Sequence, residues 1–262
     1  QIQFCRFVPA LKGLGVRHLT LVCHPALVPL FGSLAGVDRL IADWGATEYP
    51  PHDFWIFLLS LPDRLGTTEE TIPVAIPYLR PPADRLSHWR NRLAGLRGLR
   101  VGLVWRGDPD HPNDRNRSLP GLTRLAPLWS VPETTFISLQ KGRGEQEALP
   151  PPPDQPLLHL GGEIRDFADT AAIVAHLDLV ITIDSAVAHL AGALGKRCWI
   201  LLATPKTDWR WQLDRADSPW YPETTRLFRQ SRPGDWSEVV SRVAQEMTDD
   251  EEDREAGQGT LD

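Results

Sequence analysis

The reading of one stretch, LVITIDSAVAHLAGAL from Leu179 to Leu194, decides the fold. Its first five residues, Leu179-Val180-Ile181-Thr182-Ile183, are apolar and β-branched without polar alternation, as in a strand buried on both faces of a parallel sheet. Asp184 and Ser185 interrupt the run, and both are good helix N-caps. Val187, Leu190, Ala191 and Leu194 then fall on one helical face, and Gly195 is placed to end the helix. The unit reads strand, turn, helix, with the turn at the carboxyl end of the strand, the edge where open α/β sheets bind ligands. The helix start offers unpaired N–H groups and a positive dipole end, which suit a phosphate. Ser185 and His189 are four apart and share a face opposite the apolar stripe. Spacing leaves two readings open: an anion site with a histidine beside it, or a capped core helix carrying a solvated histidine.

Outward from this unit the pattern repeats. Leu99 to Trp105 reads as a strand that opens a second α/β half, and the polar loop Arg106 to Ser118 follows it. That loop is rich in Arg and Asn, which can hold an anion or a sugar, or it is a solvated surface loop. Leu122 to Trp129 reads as a helix. Thr135 to Leu139 is a strand handing over to Gln140-Lys141-Gly142-Arg143-Gly144-Glu145, whose glycines match neither a P-loop nor G-x-G-x-x-G. Pro150 to Pro153 reads as a linker, Leu157 to Leu160 as a short strand, and Asp166 to Leu177 as a helix with Asp166 as N-cap. Cys198 to Leu202 is a further strand, ending in the polar, aromatic loop Ala203 to Trp211. Right-handed crossovers bring all these carboxyl ends to one edge. Asp217 to Tyr221 reads as a turn with exposed aromatics. Trp236, Val239, Val240, Val243 and Met247 form the stripe of a last helix, capped by Asp235.

Upstream, Gln1 to Lys12 reads as a helix bent at Pro9, His18 to Cys23 as a strand, Ala26 to Phe31 as a short helix and Val37 to Ala42 as a strand. The apolar run Phe54 to Leu59 reads as another buried strand. Thr71 to Pro82, with four prolines, is an irregular connection. These boundaries give an incomplete first α/β domain over 1–82, a linker helix over 83–98, a second domain over 99–247 and an acidic tail over 248–262, expected to be disordered.

The chain has 262 residues with a formal charge of -6. The tail accounts for that excess, since 248–262 holds seven acids and one arginine, so the remainder is near neutral. No basic excess suggests nucleic acid, and no apolar stretch suggests a bilayer span. The three cysteines, Cys5, Cys23 and Cys198, form no spaced framework and fit reduced thiols in a cytoplasmic protein.

ITIDSAVAHLAGALGK resembles the donor-site signature of the heptosyltransferases, glycosyltransferase family 9, with the pattern D-[ST]-x-x-x-H-[LI]-A. VGLVWRGDPDHPNDRNRS, DFADTAAIVAHLDLVIT and TDWRWQLDRADSPWY are similar to a branch in which this domain often follows tetratricopeptide repeats, and QFCRFVPAL is similar to the family's first helix. The resemblance implies a GT-B architecture, two Rossmann-like domains facing a cleft, here with the first strand of the N-terminal domain upstream of Gln1. It implies an inverting, metal-independent transfer from a nucleotide diphosphate sugar, such as ADP-heptose, to a glycan or protein acceptor, without a further cofactor. On it, Ser185, Ala186 and Val187 offer N–H groups to the diphosphate, Asp184 fixes the turn, and His189 lies near the phosphates or sugar. Arg117 or Lys141 supplies a cation, and Trp105, Gln140 and Asp166 line the nucleotide pocket. The family's base is an aspartate just before the first helix, a position that falls immediately upstream of Gln1, so the chain is expected to bind a donor but turn over poorly. Two competitors remain: a non-catalytic nucleotide-sugar or carbohydrate-binding module, with Trp209, Trp211, Trp220 and Tyr221 stacking on sugars, and a nicotinamide oxidoreductase, which lacks its glycine turn.

Overall fold

The computed structural model describes residues 1–43, 45, 48–149 and 157–258, with side chains to 252. The Pro150–Pro153 linker lies outside them. Eight parallel-paired strands form two sheets: β1 (Thr20–Cys23) beside β2 (Arg39–Ala42), and β3 (Leu99–Val104), β4 (Thr134–Ser138), β5 (Leu157–His159), β6 (Leu179–Ile183), β7 (Cys198–Leu202) and β8 (Thr225–Arg229) in the order β5-β4-β3-β6-β7-β8. That is the doubly wound Rossmann order, whose direction of winding reverses between β3 and β6. β6 is buried along its whole length, as its unalternating run requires. β8 is a strand that sequence pattern alone does not reveal, because Arg226 and Arg229 interrupt its apolar positions.

Helices cover both faces. The helices Phe167–Ala175 and Ala186–Ala193 lie on one face; the helix starting at Trp236 and the 3₁₀ segment Leu122–Ser130 lie on the other. Pro127 within Leu122–Ser130 removes an N–H, and the expected α-helix is replaced by these tighter turns. Gly195, at φ 69°, closes the 186–193 helix in the left-handed conformation, with Lys196 N–H donating to Ala191 O at 2.9 Å.

The first sheet packs directly on the same helical face. Leu19, Leu21 and Cys23 of the β1 region share a core with Ala168, Ala171, Leu190 and Ala193, and Phe4, Phe7 and Ile72 share another with Trp220 and Ile200. Pro9 does not bend this region: the α-helix starts at Val8, so Pro9 falls in its first turn, where no N–H is needed.

Three expectations are corrected. Phe54 to Leu59 is not a strand. Phe54 is 92% and Phe57 68% exposed, and only Leu58 packs inward, ahead of a 3₁₀ turn and the Leu61–Arg64 helix; an apolar run without a neighbouring strand has no ladder to join. In the DSPWY turn, Trp220 and Tyr221 are buried. The last helix does not stop at Met247 but runs through the acidic stretch to Gln258; Glu246 pairs with Arg226 and Asp250 with Arg197, so the acids are held against the sheet's arginines. All three cysteines are buried and free, and burial pushes the Cys5 thiol up to about 12.

One buried carboxylate ties the connecting helix, Ala83–Arg92, to the sheet. Asp169 has no exposed side-chain surface and receives Arg85 at 2.6 Å, Trp89 Nε1–H at 3.0 Å and both the backbone and guanidinium of Arg165 at 3.0 Å. Burial alone would raise its pKa, but these donors outweigh it and hold the carboxyl well below the usual range. Asp169→Ala should therefore cost about 3–5 kcal/mol in urea unfolding at neutral pH. Because the folded-state pKa is lowered, that difference is full above about pH 4 and is lost as pH falls through the folded value.

Candidate functional site

The open feature of the sheet edge is the turn from β6 into the 186–193 helix, at the switch between β3 and β6. Ser185 is in extended conformation and caps the helix, its Oγ accepting from Val187 N–H at 3.2 Å. Thr182 donates its hydroxyl to the Ile183 carbonyl at 3.0 Å, which leaves the Ser185 hydroxyl as the donor in the 2.9 Å contact between the two side chains. The cap is thus fully engaged, and the Val187 N–H turns inward rather than outward. What faces solvent is Ala186, exposed, with Ser185 and Val187 half-buried beside it. Ser185 is not walled in: the turn reaches solvent at Ala186.

Arg117 comes to this turn. Its guanidinium donates to the Asp184 carbonyl at 2.9 Å, while its Nε is buried without a hydrogen-bond partner and lies 3.6 Å from Asp114. Gly107 makes room for the pair: a Cβ there would sit 2.7 Å from the Arg117 guanidinium and 2.9 Å from the Asp114 carboxylate. Burial pushes the Asp184 carboxyl up, an effect opposed by Trp211 and by the charges of Arg210 and Arg117.

His189 is not solvated. It is 8% exposed, stacked on Trp211 with ring centroids 5.1 Å apart and planes 10° apart, and its Nδ1 meets the Tyr221 hydroxyl at 3.0 Å. Tyr221 shares a further hydrogen bond with Tyr78, whose hydroxyl oxygen accepts from Arg6 at 3.1 Å. Arg6 is itself buried, donates to the Trp220 carbonyl at 2.6 Å and lies over the Tyr78 and Tyr221 rings. Gly192 is obligatory in this packing, since a Cβ there would fall 2.3 Å from the Tyr221 ring. Burial, reinforced by Arg210, holds the His189 pKa well below the usual histidine range, so the ring is neutral at pH 7.

Sequence reasoning missed Arg210 and Asp114 as parts of this edge, and gave Tyr221 an exposed, sugar-stacking role in place of its buried one against His189. Asp208 caps the short turn Trp209–Trp211 and grips Arg210 through two oxygens at 2.7 and 2.9 Å, while Arg210 also reaches Gln3 at 2.7 Å. The Asp-x-Arg spacing was the available signal; the approach of Gln3, more than two hundred positions away, left none.

The remaining candidates divide. Lys141 is exposed at the end of β4 and donates to the Gly161 carbonyl at 3.2 Å, toward β5 rather than toward Ser185. Trp105 is a core residue, fully buried, with its indole N–H on Glu147 at 3.0 Å. Gln140 is 2% exposed and is a brace: its oxygen accepts from the Trp105 and Arg106 N–H groups and its nitrogen donates to the Arg106 and Arg143 carbonyls. Asp166 caps its helix through the Ala168 and Asp169 N–H groups and pairs with Arg85. Trp105 and Gln140 cannot line a ligand pocket because no surface or bonding capacity is left to them. Of the four aromatics proposed to stack on sugars, Trp209 is exposed, while Trp211, Trp220 and Tyr221 are buried.

No family model matches the chain. Protein FlbA of Caulobacter vibrioides is 30% identical over 207 residues, 75% of this chain and 33% of FlbA, so the chain spans about a third of that relative's length. Among solved structures, the ADP-heptose lipopolysaccharide heptosyltransferase II of E. coli superposes with a TM-score of 0.61 at 11% identity, over 96% of both chains. A glycosyltransferase family 9 structure from Veillonella parvula gives 0.62 at 14% identity, over 94% of this chain and 93% of that one. The E. coli heptosyltransferase WaaC with ADP-2-deoxy-2-fluoro heptose gives 0.56 at 11% identity, over 96% and 97%. The fold is therefore that of the heptosyltransferases, a GT-B-like arrangement, in accord with the motif resemblance.

The lowered His189 pKa has a measurable sign. An unfolded chain takes up a proton that the folded site refuses, so His189 makes the fold lose stability as pH drops below about 6.5, until the folded value is passed. The unfolding free energy of the wild type relative to His189→Gln should be constant above that pH and decline below it. A flat difference across the acid limb would mean that the ring protonates freely in place.

Proposed function

We propose that the chain is a glycosyltransferase domain that takes a nucleotide diphosphate sugar at the Asp184–Ser185 turn and transfers the sugar to a glycan or protein acceptor. The observation that carries the reading is the helix start at the switch point, open at Ala186 and braced by Arg117. A diphosphate lying there meets the Ser185 and Ala186 N–H groups and the positive helix end, with the Arg117 guanidinium, held on the Asp184 carbonyl, beside the leaving phosphates. Preorganised donors of this kind stabilise the charge that develops as the glycosidic bond breaks. Neutral His189, held by Tyr221, adds no charge and is a hydrogen-bonding wall behind the first turn. Lys141, farther along the edge, is a second cation for the nucleotide end.

On this reading the transfer is inverting and free of a metal ion, with ADP-heptose as the first donor to test and an acceptor entering from the N-terminal side, where Gln3 and Arg210 meet. Similarity to part of the longer FlbA fits a domain within a larger protein; tetratricopeptide repeats upstream and a cytoplasmic setting belong to the same proposal. Among the described residues no helix is long and apolar enough to cross a membrane.

A thermal-shift panel of nucleotide diphosphate sugars tests the reading, followed by transfer of a labelled sugar. A true donor at about 100 times its Kd should add roughly 2.7 kcal/mol. Arg117→Ala should weaken the donor about 10- to 100-fold, the worth of a charge-assisted hydrogen bond of about 1.5–3 kcal/mol. Ala186→Pro, which removes one N–H at a position where helices accept proline, should weaken it without unfolding the chain. Donor affinity that ignores both substitutions would overturn the assignment; affinity without transfer or donor hydrolysis would favour a binding module.

A further inference from the structure

Behind the Asp114–Arg117 turn lies a cavity of about 360 Å³ that neither Arg117 nor the 186–193 helix lines. Its walls include Arg106, Arg115, Arg143, Asp114, Gln230 and Trp236, drawn from the loops after β3, β4 and β8. The charges in it are unevenly matched. Arg106 is neutralised by Glu147, to which its Nε donates at 2.7 Å. Asp114, 4% exposed at its side chain, is the one carboxylate on the wall and serves two guanidiniums, Arg143 at 2.6 Å and Arg117 at 3.6 Å, besides accepting from Ser118 at 2.6 Å. Arg115 is exposed and has no ion-pair or hydrogen-bond partner among the described residues. With Arg106 neutralised, Arg115 and Arg143 face the single carboxylate Asp114, an excess of one cation on the wall. Arg143 uses one terminal nitrogen on Asp114 and presents the rest of its fork, and Arg115 presents all of its own.

We propose that this cavity is a second anion site, separate from the turn at Ser185, that takes a phosphate group, free or on a small molecule. Two guanidinium forks under a net positive charge offer more N–H donors than the two oxygens of a carboxylate can accept, and match the oxygens of a phosphate better. The volume is that of a small-molecule site, and the rigid floor is set by the Gln230 carboxamide, whose oxygen accepts from the Thr204 and Gly234 N–H groups at 3.3 and 3.2 Å. The site does not rest on the proposed transfer reaction.

The test is calorimetric titration of the intact chain with inorganic phosphate, with glucose 1-phosphate and with acetate at constant ionic strength. Saturable binding of phosphate or glucose 1-phosphate is expected, with acetate at least tenfold weaker. Arg115→Ser should weaken the phosphate at least tenfold, and because Arg115 is exposed and unpaired, the variant keeps its fold. Arg115→Ser/Arg143→Ser should abolish binding, and Arg117→Ala should leave it within threefold. Equal affinity for both phosphates identifies a free-anion site, tighter glucose 1-phosphate a phosphorylated ligand, and either supports the proposal. Binding that is unsaturable, or that is lost in Arg117→Ala and kept in Arg115→Ser, overturns it. Donor binding at the Ser185 turn, measured in the same variants, fails or holds independently.

Discussion

The bond from the Arg117 guanidinium to the Asp184 carbonyl is the constraint around which the edge is arranged. A helix start that is to receive an anion must remain open, yet the strand that feeds it is buried on both faces and the turn between them would otherwise be pulled into the core. Arg117 fixes the outer side of the turn from the loop after β3, and the Thr182–Ser185–Val187 hydrogen bonds fix its inner side. The two strands concerned, β3 and β6, are neighbours where the winding of the sheet reverses, so their loops diverge and leave the gap between them. Topology opens the site, and two short hydrogen-bond chains keep it in shape.

The same edge is closed on its inner side by residues from the start of the chain. Arg6 is surrounded by carbonyl and hydroxyl oxygens and aromatic faces, with no carboxylate paired to it among the described residues. Such a buried cation is tolerable only because each face of the guanidinium finds a dipole or a ring. Its position places Phe4 and Phe7 against Trp220 and thereby seats the first sheet on the second domain's helices. The N-terminal region therefore packs directly beside the site.

Much of this was legible from residue patterns, and the limits have physical causes. LVITI is unambiguous because a strand buried on both faces needs an unbroken apolar run, and DS followed by a spaced apolar stripe needs a capped helix. The convergence of the loops followed from the handedness of crossovers alone. FWIFLL misled because an apolar run does not state whether a neighbouring strand exists to pair with it. WY of the 217–221 turn misled because turns are usually exposed, whereas here Tyr221 fills the space that Gly192 vacates. Trp105 and Gln140 were taken as pocket lining because they sit at the right end of their strands; that position fixes the loop, not which way a side chain points. Arg210 pairs locally with Asp208, but its approach to Gln3, which brings it to the site, joins residues distant in sequence.

The charge pattern on the edge then has a single logic. Arginines stay charged when partly buried, because a guanidinium holds its proton and spreads its charge over five donors, so Arg117 and Arg210 can be fixed as permanent cations beside the helix start. A histidine in the same place cannot: burial and the neighbouring Arg210 both oppose its protonation. His189 therefore behaves as a flat, neutral surface, stacked on Trp211 and keyed by Tyr221, and the positive potential offered to an anion does not vary with pH across the neutral range. Asp184 follows the complementary rule. Its carboxyl is pushed up by burial, which Trp211 and the charges of Arg210 and Arg117 oppose. Asp208 and Asp184 thus differ in kind: Asp208 is locked to Arg210 through its carboxylate and holds it in place, whereas Asp184 is held through its main-chain carbonyl by Arg117.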